Sequence, residues 1–219
     1  MISRDAYSKE KGAYLYFAVV KGVEVKEADD EVEALLREAE EGARARLTLE
    51  SLKEDPKVRA YRKFMWDMGI DPTKVRPSSE ALARRALRGR LPRINSLVDL
   101  GNAISLKYLV PIGIYDLDNV VGNMTLRRAE RGEPFEPIGS DPFELKGIEI
   151  VLADEKGPMH LFPYRDSRRT MVTLNTKNAL VAGAGVPGVP EEDVEKAVEE
   201  IVKFLERRGA EVGEVGRTP

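Results

Sequence analysis

Three polar side chains recur on one face of a segment that is otherwise apolar. The segment runs from Leu91 to Asp118, and its aliphatic residues recur at helical spacing. Asn95, Asp99 and Asn102 stand at i, i+4 and i+7, so they share one stripe of the predicted helix. A buried polar group left unpaired costs about 1–3 kcal/mol. The stripe therefore needs partners, which are either backbone groups of the neighbouring loop or a ligand.

A second concentration of polar groups lies in one short predicted loop, which we call the polar loop. It holds a phenol, three guanidiniums, a carboxylate and two hydroxyls, in the order Tyr164, Arg165, Asp166, Ser167, Arg168, Arg169 and Thr170. Such a loop can clamp an anion or a carboxylate, with Asp166 orienting one arginine. Function concentrates on loops held by a rigid scaffold. The sequence favours a binding role for the polar loop, and a structural Asp–Arg network is the alternative.

Arginine is concentrated in a third region. The residues are Arg76, Arg84, Arg85, Arg88, Arg90 and Arg93. Arg84 and Arg88 are i and i+4, so they project together from one face of a predicted helix. Guanidiniums bind phosphates bidentately, and phosphate contacts are the usual source of nucleic-acid affinity. The arrangement predicts a nucleic-acid-binding face, unless these side chains pair with acidic segments of the same molecule.

Charge is segregated along the 219 residues, although the net charge is only −3. Residues 24–55 contain 12 acidic and 5 basic side chains, a balance of −7. Residues 57–93 contain 11 basic and 3 acidic ones, a balance of +8, and residues 191–219 return to −4 with 9 acidic and 5 basic ones. The local field of the basic region, rather than the overall charge, therefore decides the choice of partner.

Composition excludes several kinds of site. The chain has no cysteine, which excludes disulfides, thiolate nucleophiles and cysteine-based metal sites. Its one histidine, His160, excludes a histidine-rich zinc site, and its place on a strand favours a structural role. No Rossmann or P-loop pattern is present, so nucleotide-driven chemistry has no support and no cofactor is expected. The cysteine and histidine counts also mean that no metal site is expected. No apolar run is long enough to span a membrane and no signal peptide is evident, so the chain is expected to be cytoplasmic. The charge-rich, cysteine-free usage is typical of a thermophile.

The elements that must position these groups follow from periodicity and capping signals. The predicted helices are Glu31–Arg46, Pro56–Met68, Pro77–Gly89, a central helix that Pro111 terminates, and Glu191–Arg208. The predicted strands are Ala13–Val25 (as a pair or one bent strand), Ile112–Asp118, Met124–Arg128, Ile148–Ala153, Met159–Phe162 and Met171–Leu174. The predicted loops are Arg131–Lys146 and Gly183–Pro190, and the tail after Gly209 is expected to fray.

These segments resemble a known module. Asn95–Asp99, Gly101–Ile104 and Val110–Asp116 resemble the Asn-Val-Val-Asp helix, the Thr-Asn-Tyr-Val continuation and the Gln-Pro-Leu-His-Ala-Phe-Asp strand of the phenylalanyl-tRNA synthetase beta chain. Ile150–Pro158 and Thr176–Leu180 resemble segments on either side of that module's pocket. The likeness is to the tRNA-editing module, domains B-three and B-four, and covers about Arg76 to Val181. It is closest to free-standing proteins built from this module alone.

The resemblance implies a fold but departs at the reaction site. It implies an α+β fold of mixed sheet layers, with a helical collar from the N-terminal and C-terminal segments. The expected parts are 1–75, a core at 76–182 and a C-terminal helix at 183–219, forming one unit. The family's editing histidine corresponds to Gly113, its pocket glutamate to Ala182 and a pocket glycine to Pro163, whereas the pocket asparagine is kept as Asn102.

Two functions remain open at this point. The favoured one is hydrolysis in trans of a misacylated aminoacyl-tRNA ester, by positioning a water molecule rather than by a strong side-chain base. Asn102, Tyr115 and the polar loop would then line the pocket, and the arginine-rich helix would hold tRNA phosphates. The alternative is a non-catalytic module that binds RNA, an amino acid or another small carboxylate. The sequence leaves the tRNA, the amino acid and the oligomeric state open.

Overall fold

Six α-helices and eleven β-strands form within residues 2–219, the part of the chain that the computed structural model describes. The helices are α1 (Ala6–Glu10), α2 (Asp30–Arg46), α3 (Pro56–Asp67), α4 (Ser78–Leu87), α5 (Ser96–Tyr108) and α6 (Glu191–Arg207). The strands are β1 (Ile2–Arg4), β2 (Tyr14–Lys21), β3 (Ile112–Asp116), β4 (Met124–Arg128), β5 (Pro134–Phe135), β6 (Phe143–Glu144), β7 (Ile150–Asp154), β8 (Gly157–Phe162), β9 (Arg165–Asp166), β10 (Asn178–Gly185) and β11 (Glu211–Arg217).

The strands form two main sheets and one small hairpin. The five-stranded sheet has the order β1-β4-β7-β8-β9, and all its pairs are antiparallel except β1 with β4. The four-stranded sheet has the order β11-β2-β10-β3 and is antiparallel throughout. Strands β5 and β6 pair separately. Strand β9 therefore ends one sheet and β3 ends the other, in the α+β arrangement that the sequence predicted.

The two sheets share one apolar core. Leu15 and Tyr115 of the four-stranded sheet are buried in the same cluster as Leu126 and Met159 of the five-stranded sheet. Helix α3 closes this core, where the Phe64 and Phe162 rings meet edge to face at 5.6 Å. Helices α5 and α6 pack on the four-stranded sheet, and α2 packs on α5. Of these, α2 and α6 come from the N-terminal and C-terminal segments, from which the resemblance implied a helical collar, whereas α5 belongs to the segment expected to form the core.

Helix α5 is fixed at both ends by its own polar residues. Asn95 caps its first turn by accepting a hydrogen bond from the Val98 backbone N–H at 3.0 Å. The helix ends at Tyr108, and Leu109 adopts a left-handed conformation with φ 54°. Ser105 donates its hydroxyl to the Val110 carbonyl at 2.7 Å, which holds this turn before Pro111. The chain then enters β3 directly, so α5 and β3 stand side by side.

The predicted helices agree with the structure to within about two residues, but several predictions about strands are wrong. Residues 171–174 form no strand, because a turn forms there in which the Thr173 backbone N–H donates to Thr176 Oγ1 at 2.9 Å. Strand β10 was not predicted and takes up the start of the loop expected at 183–190. Strand β11 occupies most of the tail that was expected to fray, and β1 and α1 were not predicted.

The four-stranded sheet also bears on how the chain is divided. Its strand β2 comes from the segment before residue 76, β3 from the segment 76–182, and β11 from the segment after it. We propose that the three segments fold as parts of one unit, because no segment completes this sheet alone.

Thr218, the residue that follows strand β11, is expected to contribute measurably to stability. Thr218 is fully buried, donates its backbone N–H to the Leu15 carbonyl at 2.9 Å and accepts from the Leu15 N–H through its hydroxyl at 3.1 Å. Thr218→Val removes the hydroxyl and leaves the buried Leu15 N–H unpaired, so the free energy of unfolding should fall by about 1–3 kcal/mol in urea denaturation. The exposed control Val215→Thr should change it by less than about 0.5 kcal/mol. Equal stability of both variants would mean that the tail does not hold β2.

Candidate functional site

A pocket of about 170 Å³ lies where the edge strands of the two sheets approach each other beside α5. We call it the sheet-edge pocket. Its apolar lining is Ile94, Val98, Gly101, Ile112, Ile114, Ile138, Met171 and Val172, and its polar lining is Asn102, Asp166 and Thr170. Three of the apolar residues keep a sizeable exposed fraction: Ile94 (54%), Ile138 (45%) and Met171 (38%). Apolar side chains left exposed around a concave pocket mark a binding surface.

The polar stripe of α5 divides between structural and pocket-lining roles. Asn95 caps the helix, and Asp99 accepts from the Ile94 backbone N–H at 3.0 and 3.2 Å. These two residues have the backbone partners that the first alternative required. Asn102 is half-buried in the pocket, and within residues 2–219 its carboxamide makes no hydrogen bond. The third member of the stripe is thus free to bind a ligand.

Thr170 is the other unsatisfied group of the pocket. The 3₁₀ turn Arg168–Thr170 carries it, and Ser167 caps the turn by accepting from the Arg169 backbone N–H at 3.3 Å. The Thr170 side chain is fully buried, yet its hydroxyl has no hydrogen-bond partner. An unpaired buried hydroxyl destabilises the free protein by about 1–3 kcal/mol. The hydroxyl oxygen is covered in this structure, so a ligand would pair with it only if the Thr170 side chain turned towards the pocket.

Asp166 joins the pocket to the histidine behind it. Strands β8 and β9 place His160 opposite Asp166, and His160 Nδ1 lies 2.8 Å from Asp166 Oδ1. The Tyr115 ring stands edge-on to the imidazole at 5.9 Å. Burial raises the pKa of Tyr115 well above its ordinary value, and the Asp166 carboxylate next to it adds to the effect. Sequence reasoning missed the His160–Asp166 contact, although a tight hairpin centred on Pro163 places residues 160 and 166 opposite each other.

Tyr115 also explains why residue 113, which corresponds to the family's editing histidine, is a glycine. A Cβ atom on Gly113 would lie 1.9 Å from the Tyr115 hydroxyl oxygen and 2.5 Å from its ring carbon Cζ. No side chain fits at residue 113 while Tyr115 keeps this position. Tyr115 is fully buried, so it forms the wall behind the pocket rather than the open lining that the sequence suggested.

The arginines of the polar loop differ in their partners. Arg169 binds Asp154 through two nitrogens at 2.7 and 2.9 Å and also donates to the carbonyls of Asn119 and Gly157. Burial raises the pKa of Asp154, but the hydrogen bonds from Arg169 and neighbouring backbone groups outweigh it and leave the pKa below its ordinary value. In the described part of the chain, Arg165 and Arg168 form no ion pair. Arg169 thus belongs to a structural network, whereas the other two guanidiniums can bind an anion.

Two further residues of the polar loop are held in place by burial. Tyr164 is partly buried, and burial raises the pKa of its phenol. Ser167 is buried and donates its backbone N–H to the Met159 carbonyl at 2.8 Å. Neither residue lines the sheet-edge pocket. Of the seven residues of the polar loop, Asp166 and Thr170 reach it.

A fully buried carboxylate organises part of the arginine-rich region. Glu80 accepts from Arg62 at 2.7 Å through both of its oxygens and from Arg84 at 2.8 Å, and Arg76 lies 3.8 Å away. Burial raises the pKa of Glu80, but the hydrogen bonds and charges of Arg62 and Arg84 outweigh it and hold the pKa below its ordinary value. The lowered pKa of Glu80 stabilises the folded protein at pH values above the pKa that Glu80 has in the unfolded chain. This stabilisation is lost as the pH falls through the pKa of Glu80 in the folded protein.

The remaining predicted arginines separate into bound and free side chains. Arg93 donates to both carboxylate oxygens of Glu33 on α2, at 2.7 and 3.1 Å. Arg85, Arg88 and Arg90 are exposed, and no ion pair engages them within residues 2–219. The predicted face is therefore mixed. One part is an internal ion-pair cluster, and a free cationic patch remains at the end of α4.

Two kinds of site have no support in the part of the chain described. No group of three or more acidic or histidine side chains within residues 2–219 is arranged to hold a metal ion. No helix in the same range is long and apolar enough to cross a membrane.

Comparisons with known proteins agree with this architecture. A family model described as "B3/4 domain" matches residues 60–208. The phenylalanine–tRNA ligase beta subunit of Neisseria meningitidis serogroup B is 30% identical over 103 residues, which are 47% of this chain and 13% of that protein. The same subunit of Mycoplasma genitalium is 35% identical over 85 residues, or 39% of this chain and 10% of that protein. The chain thus spans a small part of these relatives.

A solved structure has the same fold. The crystal structure of an N-terminal fragment of the phenylalanyl-tRNA synthetase beta subunit from Pyrococcus horikoshii aligns with 97% of this chain and 50% of its own, with a TM-score of 0.58 and 18% identity. The matched range 60–208 includes most of α3, all of α4 to α6 and both edge strands of the pocket, and it covers more than half of the 219 residues. The chain belongs to the B3/4 domain family.

Proposed function

We propose that the sheet-edge pocket binds the aminoacyl end of an aminoacyl-tRNA, and that the protein hydrolyses the ester in trans. The observation that carries the proposal is the composition of the pocket. Aliphatic walls surround a carboxamide, a carboxylate and a buried hydroxyl without a partner. A pocket of this kind suits a small ligand with an apolar body and several polar groups at one end. An aminoacyl ester has this chemistry.

The proposed pose follows from the positions of the polar groups. The amino-acid side chain would lie among the aliphatic walls, and Asn102 and Thr170 would pair with the amino and carbonyl groups. The unpaired Arg165 and Arg168, which belong to the polar loop but lie outside the pocket lining, would hold a phosphate of the tRNA end beyond the pocket. Binding of this kind orients the ester carbonyl towards the carboxylate side of the pocket.

The absence of the family histidine and glutamate is compatible with hydrolysis but limits its rate. Gly113 and Ala182 offer no titratable group, and residue 113 has no room for one beside Tyr115. Positioning of the ester and a water molecule can supply a large part of the rate enhancement without a strong base. We expect modest turnover.

A second candidate function is non-catalytic binding of an amino acid or another small carboxylate. The specific observation in its favour is again the missing imidazole at Gly113. Binding of a free amino acid without RNA, measured by isothermal titration calorimetry, would favour this sensor function.

The test of the proposed function is a deacylation assay with a panel of mischarged and correctly charged tRNAs. We expect ester hydrolysis above the uncatalysed rate for at least one pairing with an apolar amino acid. No hydrolysis for any member of the panel would contradict the proposal, and RNA-independent amino-acid binding in the same preparation would then select the second candidate.

The Thr170 hydroxyl predicts opposite effects on stability and on function. Thr170→Val removes a buried group without a partner, so the free energy of unfolding should rise by about 1 kcal/mol, while substrate affinity should fall about threefold to tenfold. Ser79→Ala is the matched control, because the Ser79 hydroxyl is also buried without a partner but does not line the pocket. It should stabilise the protein and leave affinity unchanged. Equal affinity of both variants would place the ligand elsewhere.

The free arginines predict the salt dependence of any RNA binding. Replacing Arg85, Arg88 and Arg90 by Gln should flatten the log–log salt slope of tRNA affinity by about one for each lost phosphate contact. Arg84→Gln is the control, because Arg84 is engaged with Glu80 and its loss should lower stability without a comparable change in slope. An unchanged slope in the triple variant would assign these residues to an ordinary solvated surface.

A further inference from the structure

We propose that Asp166 is the proton acceptor for the attacking water molecule, and that His160 is the positioning residue that holds it. This inference rests on the hydrolytic function proposed above and deepens it. The family's editing histidine corresponds to residue 113 on β3. In this protein the imidazole is that of His160 on β8, in the other sheet, and it contacts the carboxylate of Asp166, which lines the pocket.

The geometry of Asp166 suits a proton acceptor. Its side chain is 38% exposed and lines the pocket, so water reaches it. Its oxygen Oδ1 is engaged by His160 Nδ1 at 2.8 Å. Asp166 is also the only carboxylate among the residues that line the sheet-edge pocket. A candidate base must lie within reach of the proton it removes, and Asp166 meets this condition for a water molecule in the pocket.

The geometry of His160 suits a positioning role. The imidazole is buried, with 6% of the residue exposed, and does not line the pocket. The Tyr115 and Phe162 rings stand edge-on to it at 5.9 and 6.3 Å, so packing fixes its plane. A neutral imidazole that carries its proton on Nδ1 donates it to Oδ1, and this orients the carboxylate towards the pocket. The titratable groups facing Asp166 are therefore His160 from β8 and Tyr115 from β3.

The proposed step balances within the site. Water transfers a proton to the Asp166 carboxylate as its oxygen forms a bond to the ester carbonyl carbon. The bond between that carbon and the ribose oxygen then breaks, and the leaving oxygen takes the proton from Asp166. The products are the free amino acid and the tRNA hydroxyl, and the carboxylate is regenerated. Asn102 can donate its amide N–H to the carbonyl oxygen as negative charge develops there.

The experiment compares Asp166→Asn, His160→Ala and His160→Asn with the unchanged protein, on the aminoacyl-tRNA that it hydrolyses fastest. Asp166→Asn should lower kcat by about a hundredfold or more, the usual contribution of a general base, with KM within about threefold. The control Asp141→Asn makes the same chemical change at an exposed residue outside the pocket and should keep full activity.

His160 supplies an independent readout through the separation of kcat from KM. His160→Ala removes the hydrogen bond to Asp166 Oδ1, so kcat should fall while KM stays within about threefold. His160→Asn, whose amide can donate from nearly the same place, should restore much of the lost kcat. This readout stands even if Asp166→Asn fails to fold, and a purely structural histidine would not give a loss confined to kcat that His160→Asn rescues.

The outcomes separate the two proposals. If the unchanged protein hydrolyses an ester and Asp166→Asn keeps kcat within about threefold, the assignment of Asp166 is overturned while the proposed function stands. An unchanged kcat in a folded His160→Ala variant overturns the role of His160. If the unchanged protein hydrolyses no member of the tRNA panel, the proposed function fails and this inference fails with it.

Discussion

The packing of two sheets around one shared core is the constraint on which the candidate site depends. The pocket has one wall from β3, the last strand of the four-stranded sheet, and another from the segment that follows β9, the last strand of the five-stranded sheet. Tyr115 and His160 meet across this junction at 5.9 Å. Neither sheet contains the pocket alone. The apolar core that holds the sheets together therefore also sets the distance between Asn102 and Asp166.

The distribution of satisfied and unsatisfied polar groups separates scaffold from site. Asn95, Asp99 and Arg169 look equally suited to binding a ligand in the sequence, yet each is engaged by groups of the protein itself. Asn102 and Thr170 are not engaged, and both line the pocket. Natural proteins leave few buried polar groups without partners, so each exception needs a reason. Thr170 is such an exception, as are Tyr14 and Ser79 outside the pocket, whereas Asn102 is only half-buried. Under the proposed function, a ligand would supply partners to Thr170 and Asn102.

The parts of the fold that the sequence predicted are those with local signals. Asp29, Asp55 and Asn95 cap their helices, and apolar periodicity follows each cap. Strand β10 lacked such a signal because alanine and glycine dominate its second half. The glycine at 185 is required by packing, since a Cβ there would lie 2.0 Å from the Tyr14 ring. Strand β11, with two glycines, is recognised only once β2 is present as its partner.

The sequence could predict those features of the candidate site that depend on residues close together in the chain. Residue type and spacing predicted the polar loop and Asn102 as site residues, and of these only Asn102, Asp166 and Thr170 line the candidate pocket. The His160–Asp166 contact depends on the register of β8 against β9, and the binding of Arg84 to Glu80 depends on a carboxylate that α4 buries against Arg62 of α3. Register and burial are tertiary properties, so residue type alone assigned Arg84 and Arg169 to binding surfaces when both are engaged internally.

The most direct test of this account is a crystal structure with an adenosine that carries a phenylalanyl group in amide linkage, which cannot undergo ester hydrolysis. We predict density for the aminoacyl group in the sheet-edge pocket, with polar atoms within hydrogen-bond distance of Asn102 and Thr170. Density instead in the cavity at the end of α6, lined by Val23, Phe204 and Arg208, or an empty sheet-edge pocket at saturating analogue, would contradict the account.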